Sequence, residues 1–146
     1  METDRDEIRS LIHGYCFHFD RNEPEDVAAL FTEGAVIDYG PEHPPIVGRD
    51  AIAPTIAVGL RERFKATSHH VSNIEITFDG EDDARSVSYL YAWHEYVDDS
   101  ESELWGRYVH RFRREHGRWR IAELTLQAAG ARNFHSSRMH PIGRRA

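Results

Sequence analysis

Arg85-Ser-Val-Ser-Tyr-Leu-Tyr-Ala-Trp-His-Glu-Tyr-Val97 alternates with a period of two, as a β-strand does, and is apolar on both sides. One phase carries Val87, Tyr89, Tyr91 and Trp93; the other carries Leu90, Ala92 and Tyr96. A strand with apolar residues on both faces needs cover on both. Three more stretches share this period: Ser68 to Phe78, Leu104 to Glu115 and Arg118 to Ala128. They are joined by Asp79-Gly-Glu-Asp82, Asp98 to Glu103 and His116-Gly117, which have the residues of tight turns. Neighbours joined so closely pair antiparallel, so the second half of the chain reads as a meander.

Before residue 66 the period is 3.6. Ile8, Leu11, Ile12, Tyr15, Cys16 and Phe19 form one apolar stripe of a first helix. Thr3 with Asp6 resembles a capping pair, and Asn22-Glu-Pro24 ends the helix. Asp20 falls at the edge of the stripe, about 40° past Cys16 at about 100° per residue. Pro24 opens a short second helix, Glu25 to Phe31, followed by a strand from Ala35 to Tyr39. Gly40 to Gly48 is a loop with three prolines. Asp50 to Phe64 reads as a third helix, with Pro54 expected in its first turn. Helices on one sheet face make an α+β domain; a second copy of the chain is the economical cover for the other face. A homo-oligomer is therefore expected.

Composition narrows the function. The chain has 146 residues, 25 acidic and 18 basic, for a net charge of −7, which disfavours nucleic acid. The basic stretches, Arg107 to Arg120 and Arg138 to Ala146, are a strand face and a short tail. Apolar residues are 40% of the total, and no run approaches the roughly 20 that span a bilayer. The charged N-terminus has no signal-like stretch and Cys16 is the only cysteine, so a cytoplasmic protein without disulfides or membrane contact is expected.

Several pieces then fall into a known order. They are Tyr15-Cys-Phe-His-Phe-Asp20, Asp26-x-x-x-Leu30-Phe31, Val47-Gly-Arg-Asp-Ala-Ile52, Thr67-Ser-His69-x-x-x-Asn73, Gly106-x-Tyr108 and Arg113-Arg-x-x-Gly117-x-Trp119-x-Ile121. In this order and spacing, residues 5 to about 135 resemble the SnoaL-like group of the nuclear transport factor 2-like superfamily. The resemblance implies a cone: a curved, mixed or antiparallel sheet wrapped around three N-terminal helices, with a pocket inside. Its members include scytalone dehydratase, bile-acid dehydratase, hexachlorocyclohexane dehydrochlorinase, ketosteroid isomerase, polyketide cyclases and non-catalytic dioxygenase subunits. Fold alone does not choose among them.

In the dehydratase-like and dehydrochlorinase-like members, a helix aspartate and a histidine on the first long strand form the catalytic dyad. Asp20 and His69 stand at the matching positions. Histidine is a base near neutral pH, and a carboxylate behind it fixes its tautomer and steadies the imidazolium. Alternation along the strand complicates the match. His70, Ser72, Ile74, Ile76 and Phe78 share the apolar phase, while His69 lies with Val71, Asn73, Glu75 and Thr77. Either a bulge resets the phase, or the polar-looking phase faces the pocket; His69 ranks first and His70 second.

Tyr15 precedes Asp20 as in the dehydratase-like members, where tyrosines hold a substrate oxygen. Tyr39, Tyr91, Trp93 and Tyr108 are further candidates for the pocket wall, with His94 and His110 on central strands beside them. No chelating histidine spacing is present, so no metal and no cofactor are expected. Several dehydratase-like members carry a cavity arginine on the last strand, where this chain has Gln127 and Ala128, with Arg132 a few residues late. Cys16 lies in a helix stripe, and no serine elbow offers a nucleophile. The tail from Asn133 either folds over the cone's mouth or is loose.

The leading expectation is a cofactor-independent, dehydratase-like lyase acting on a small cyclic or polyketide-like molecule. His69 is its base and Asp20 the orienting partner, with Tyr15 and Tyr39 on an oxygen. The alternatives are an isomerase or cyclase using the same base, a ligand-binding module, or a protein like the small subunit of a ring-hydroxylating dioxygenase.

Overall fold

The structure is a computed structural model that describes residues 2–146. Helix α1 (Glu2–Asp20) buries the whole stripe from Ile8 to Phe19. It is already helical at Glu2, so Thr3 lies in the first turn and not at the cap. Asn22 adopts φ +59°, and the Glu23 amide turns back to the His18 carbonyl at 2.9 Å, closing the helix. Helix α2 (Pro24–Ala28) is shorter than expected, because Phe31 is fully buried as the first residue of strand β1 (Phe31–Asp38). Strand β2 (Ile46–Val47) interrupts the proline loop, and helix α3 (Arg49–Glu62) follows. Pro54 is the sixth residue of α3, past the first turn, so the helix gives up one backbone hydrogen bond there.

Four long strands complete the chain: β3 (Phe64–Phe78), β4 (Asp83–Tyr96), β5 (Glu101–Glu115) and β6 (Arg118–Arg132). Phe64, whose four-residue step places it at the end of α3 by sequence, instead opens β3. A short β7 (His140–Pro141) lies beside β6. The order across the sheet is β2-β1-β6-β5-β4-β3, with the expected antiparallel meander from β3 to β6 and β1 running parallel to β6. The result is an α+β fold with a curved, open, seven-stranded sheet over the N-terminal helices. No helix among the described residues is long and apolar enough to cross a membrane.

Bulges supply the curvature. On β6 an extra residue stands between the pairs Trp105↔Gly130 and Gly106↔Ala128, and another between Arg111↔Glu123 and Phe112↔Ile121. At the first bulge the backbones close in, and a Cβ at Gly106 would stand 2.1 Å from the Gln127 carbonyl oxygen. The concave face takes Ala84, Ser86, Ser88, Leu90, Ala92 and His94 from β4, all buried. The convex face keeps Tyr89 and Trp105, which are 47% and 38% exposed and carry the guanidinium groups of Arg107 and Arg132 over their rings, each at 5.5 Å. Charged side chains thus dress part of the face that sequence alone left uncovered.

Two histidines belong to the concave face. His110 is fully buried, stacks on Phe112 at 5.4 Å, and has no hydrogen-bond partner on either ring nitrogen among the described residues. Burial pushes it down to about 3. His94 is also pushed down to about 3, by burial first and then by neighbouring His69.

Two outcomes follow. Gly106→Ala is expected to cost about 2–3 kcal/mol in urea unfolding, since the new methyl meets backbone and not a mobile side chain. Both buried histidines stay neutral when folded but protonate near pH 6.5 when unfolded, so stability falls as pH drops below about 6.5 toward their folded values. Each contributes a slope of at most about 1.4 kcal/mol per pH unit. Urea titrations at pH 7.5, 6 and 5 are expected to show that fall, and His110→Phe to flatten it.

Candidate active site

Asp20 is the last residue of α1, just past its buried stripe, and its carboxylate meets the middle of β3. It accepts three hydrogen bonds there: from His69 Nδ1 at 2.6 Å, from the His69 backbone amide at 2.8 Å and from Thr67 Oγ1 at 2.8 Å. Desolvation acts to raise the Asp20 pKa, but the His69 contacts and the Thr67 hydroxyl outweigh it, and the carboxyl sits below its ordinary value. An ionised carboxylate on Nδ1 places the ring proton there and leaves Nε2 as the basic nitrogen. The His69 side chain is only 6% exposed, and Tyr15 and Phe19 from α1 meet its ring edge-on at 6.4 and 4.9 Å.

His69 faces inward and His70 outward, so the alternation that favoured His70 does not hold at this end of the strand. The register runs from Ser72↔Tyr89 to Glu75↔Val87, three steps on β3 against two on β4, with Asn73 at φ +53°. This bulge resets the phase. Thr67, His69 and Val71 turn inward before it, and Ile74, Ile76 and Phe78 after it. His70 is exposed and has Ser68 Oγ 2.8 Å from its Nε2.

His69 lines a cavity of about 320 Å³. Its walls are mostly apolar, with Phe19, Leu90, Ala92, Leu104 and Leu126 among them. Three tyrosines stand on it: Tyr15, Tyr39 and Tyr108. The Tyr15 and Tyr39 hydroxyls are 2.5 Å apart, and the Tyr108 ring lies edge-on to Tyr15 at 5.6 Å. Burial pushes Tyr39 up to about 12 and Tyr15 and Tyr108 well above their usual value, so all three remain protonated hydrogen-bond donors. His94 also lines the cavity, edge-on to His69 at 5.7 Å, with Nδ1 3.3 Å from Ser102 Oγ.

Tyr91 and Trp93 are not in the cavity wall. They take the odd positions of β4, which face outward, where the Tyr91 hydroxyl donates to Glu103 at 2.8 Å and Trp93 Nε1 donates to Glu101 at 2.7 Å. His110 lies below the lining residues, within the core. Arg132 is likewise outside, over Trp105, so the last strand supplies no cation to the cavity.

The rim comes from segments far apart in sequence. Phe134, His135 and Ser136 of the tail complete the wall. Glu42 holds that tail by accepting from the backbone amides of Ser137 and Arg138, each at 3.0 Å, and from the Ser137 hydroxyl. His43 Nε2 lies 2.9 Å from Ser136 Oγ, and His140 Nε2 lies 3.0 Å from Asp38 Oδ2. Sequence reasoning missed His43, Arg63 and Phe64; only proximity to the helix–strand junction marked the last two. It also missed a surface trio, His18, Glu23 and Asp26, whose ligand atoms lie within 4.8 Å of one another across the α1–α2 turn. Their spacing spans that turn, so no helical or strand periodicity reveals it.

Comparison with known proteins agrees with this fold. The sequence profile of the SnoaL-like domain matches residues 2–125. No curated protein matches the chain. Among solved structures, a protein provisionally named scytalone dehydratase from Novosphingobium aromaticivorans DSM 12444 is 32% identical, with TM-score 0.90 over 99% of this chain and 96% of that one. A protein provisionally named aromatic ring hydroxylase from the same species is 25% identical, with TM-score 0.80 over 86% and 89%. The hexachlorocyclohexane dehydrochlorinase LinA-type3 of Novosphingobium barchaimii LL02 is 14% identical, with TM-score 0.82 over 97% and 96%, and shares the fold. The helices, the curved sheet and the matched profile together establish that this chain belongs to the SnoaL-like family of the nuclear transport factor 2-like superfamily.

Proposed function

We propose that the protein is a cofactor-independent lyase that removes water from a small cyclic or polyketide-like ketone. The observation that carries this reading is the Asp20–His69 pair, joined at 2.6 Å on the wall of a largely apolar cavity. His69 Nε2 takes a proton from the carbon beside the substrate carbonyl. The electrons left behind form the new double bond as the C–O bond at the next carbon breaks. The departing hydroxide takes the proton back from the imidazolium and leaves as water. Asp20 stabilises the imidazolium meanwhile, and the Tyr15–Tyr39 hydroxyl pair, in which one hydroxyl donates to the other, has one proton left to donate to the carbonyl oxygen, where negative charge develops. The neutral His94 ring adds no positive charge beside His69.

The outer sheet face, with Tyr89 and Trp105 exposed, supports assembly of the chain with further copies of itself. Sedimentation at micromolar concentration is expected to give one species heavier than a single chain.

The chemistry is tested with a panel of bicyclic β-hydroxyketones, following the enone absorbance and, in deuterated water, exchange at the carbon beside the carbonyl. Both signals are expected from the wild type. His69→Gln and Asp20→Asn are expected to lower both by about 10² to 10⁴ while stability changes by no more than about 1–2 kcal/mol. Exchange without loss of water would point to isomerisation by the same base. Absence of both signals across the panel would sink the enzymatic reading.

A further inference from the structure

Most of the cavity wall is uncharged, which throws one residue into relief. Among the described residues its lining has no aspartate, glutamate or lysine; Arg63, an exposed residue at its rim, is the single formally charged residue on it. That contrasts with a chain of net charge −7. Arg63 follows α3 directly, and its backbone is pinned on both sides: its amide donates to the Gly59 carbonyl at 2.9 Å, and its carbonyl accepts from the Val97 amide at 3.0 Å. The guanidinium lies 6.0 Å from the centre of the Phe64 ring, itself part of the wall, and forms no ion pair among the described residues. Most other arginines near carboxylates in this chain are engaged: Arg49 with Glu115, Arg114 with Asp4 and Arg113 with Asp83.

The surroundings of Arg63 suit a ligand anion. His43, His135 and Ser136 share the rim and offer further polar atoms at the same end of the cavity. His135 is pushed down to about 4, by desolvation first and then by the Arg63 charge, with the Glu42 carboxylate acting the other way; Arg138 pairs with Glu42 at 3.8 Å, which leaves Arg63 as the rim cation without an ion-pair partner among the described residues. His69 lies beside Tyr15 of α1, and the neutral His94 ring stands between it and the rim, 5.7 Å from His69 and 6.1 Å from His135. An acidic protein repels anions over most of its surface, so a lone cation at the rim is where an anionic ligand is drawn. One fixed charge matches one anionic charge, and a guanidinium fork fits a carboxylate with two parallel hydrogen bonds.

We propose that Arg63 is a specificity-determining residue that selects a substrate bearing a carboxylate on its cyclic body, holding that carboxylate at the rim while the reacting carbon points toward His69. This deepens the lyase reading above and rests on it for the word substrate; the anion preference itself does not. The cavity's size admits a one- or two-ring body, in the range typical of small-molecule sites.

Calorimetry with 2-naphthoate and its neutral counterpart 2-naphthamide tests the proposal without turnover. The wild type is expected to prefer the carboxylate by roughly fivefold or more, the scale of a charge-assisted hydrogen bond at a partly open site. Arg63→Gln is expected to abolish the preference while naphthamide affinity changes less than about twofold. Arg61→Gln, whose side chain pairs with Glu62 outside the cavity, is expected to keep it. His69→Gln is also expected to keep it, so loss of turnover in that variant and loss of anion preference in Arg63→Gln are separate results. Equal affinities in the wild type, a preference that survives Arg63→Gln, or binding of neither probe at millimolar concentration would each overturn the proposal.

Discussion

The carboxylate of Asp20 joins the end of one helix to the middle of one strand, and the architecture of the site depends on that joint. Three donors converge on it, two of them from His69 itself. The backbone amide fixes where the strand passes, and the ring nitrogen fixes how the imidazole is turned. A carboxylate held by backbone and side chain together loses little entropy on forming either bond, because each orders the other. The helix is long enough to reach this point only because its buried stripe continues to Phe19, one residue short of the charge.

The fold was largely legible because it rests on periodicity. The stripe of α1, the four long strands and their turns all follow from spacing and turn chemistry. What failed did so where tertiary contact overrides local pattern. Phe31 and Phe64 complete helical spacings, yet each opens a strand, because a buried aromatic at an element's end serves either element equally well. Pro54 sits where propensity resists it, inside α3.

The site was legible in part, for a related reason. Asp20 and His69 were marked by position along the chain, but the facing of His69 was hidden by one residue. The apolar alternation from Ile74 to Phe78 is real and belongs to the segment beyond the bulge at Ser72–Asn73; carrying it backward assigns the wrong histidine. Tyr91 and Trp93 have the chemistry of a pocket wall, but their phase on β4 is opposite to that of Leu90 and Ala92 and turns them outward. Arg63 carries no signal in the sequence, because the family resemblance points to a cation on the last strand and this one follows a helix end.

The division between sheet and rim has an evolutionary consequence. His69 and its carboxylate partner are built on β3 and α1, elements locked into the core, whereas the rim is assembled from a proline loop, a helix end and a tail fastened by Glu42. The rim can therefore change its sequence almost independently of the Asp20–His69 joint. A scaffold arranged this way tolerates exchange of its loops while the geometry of the buried pair is inherited intact.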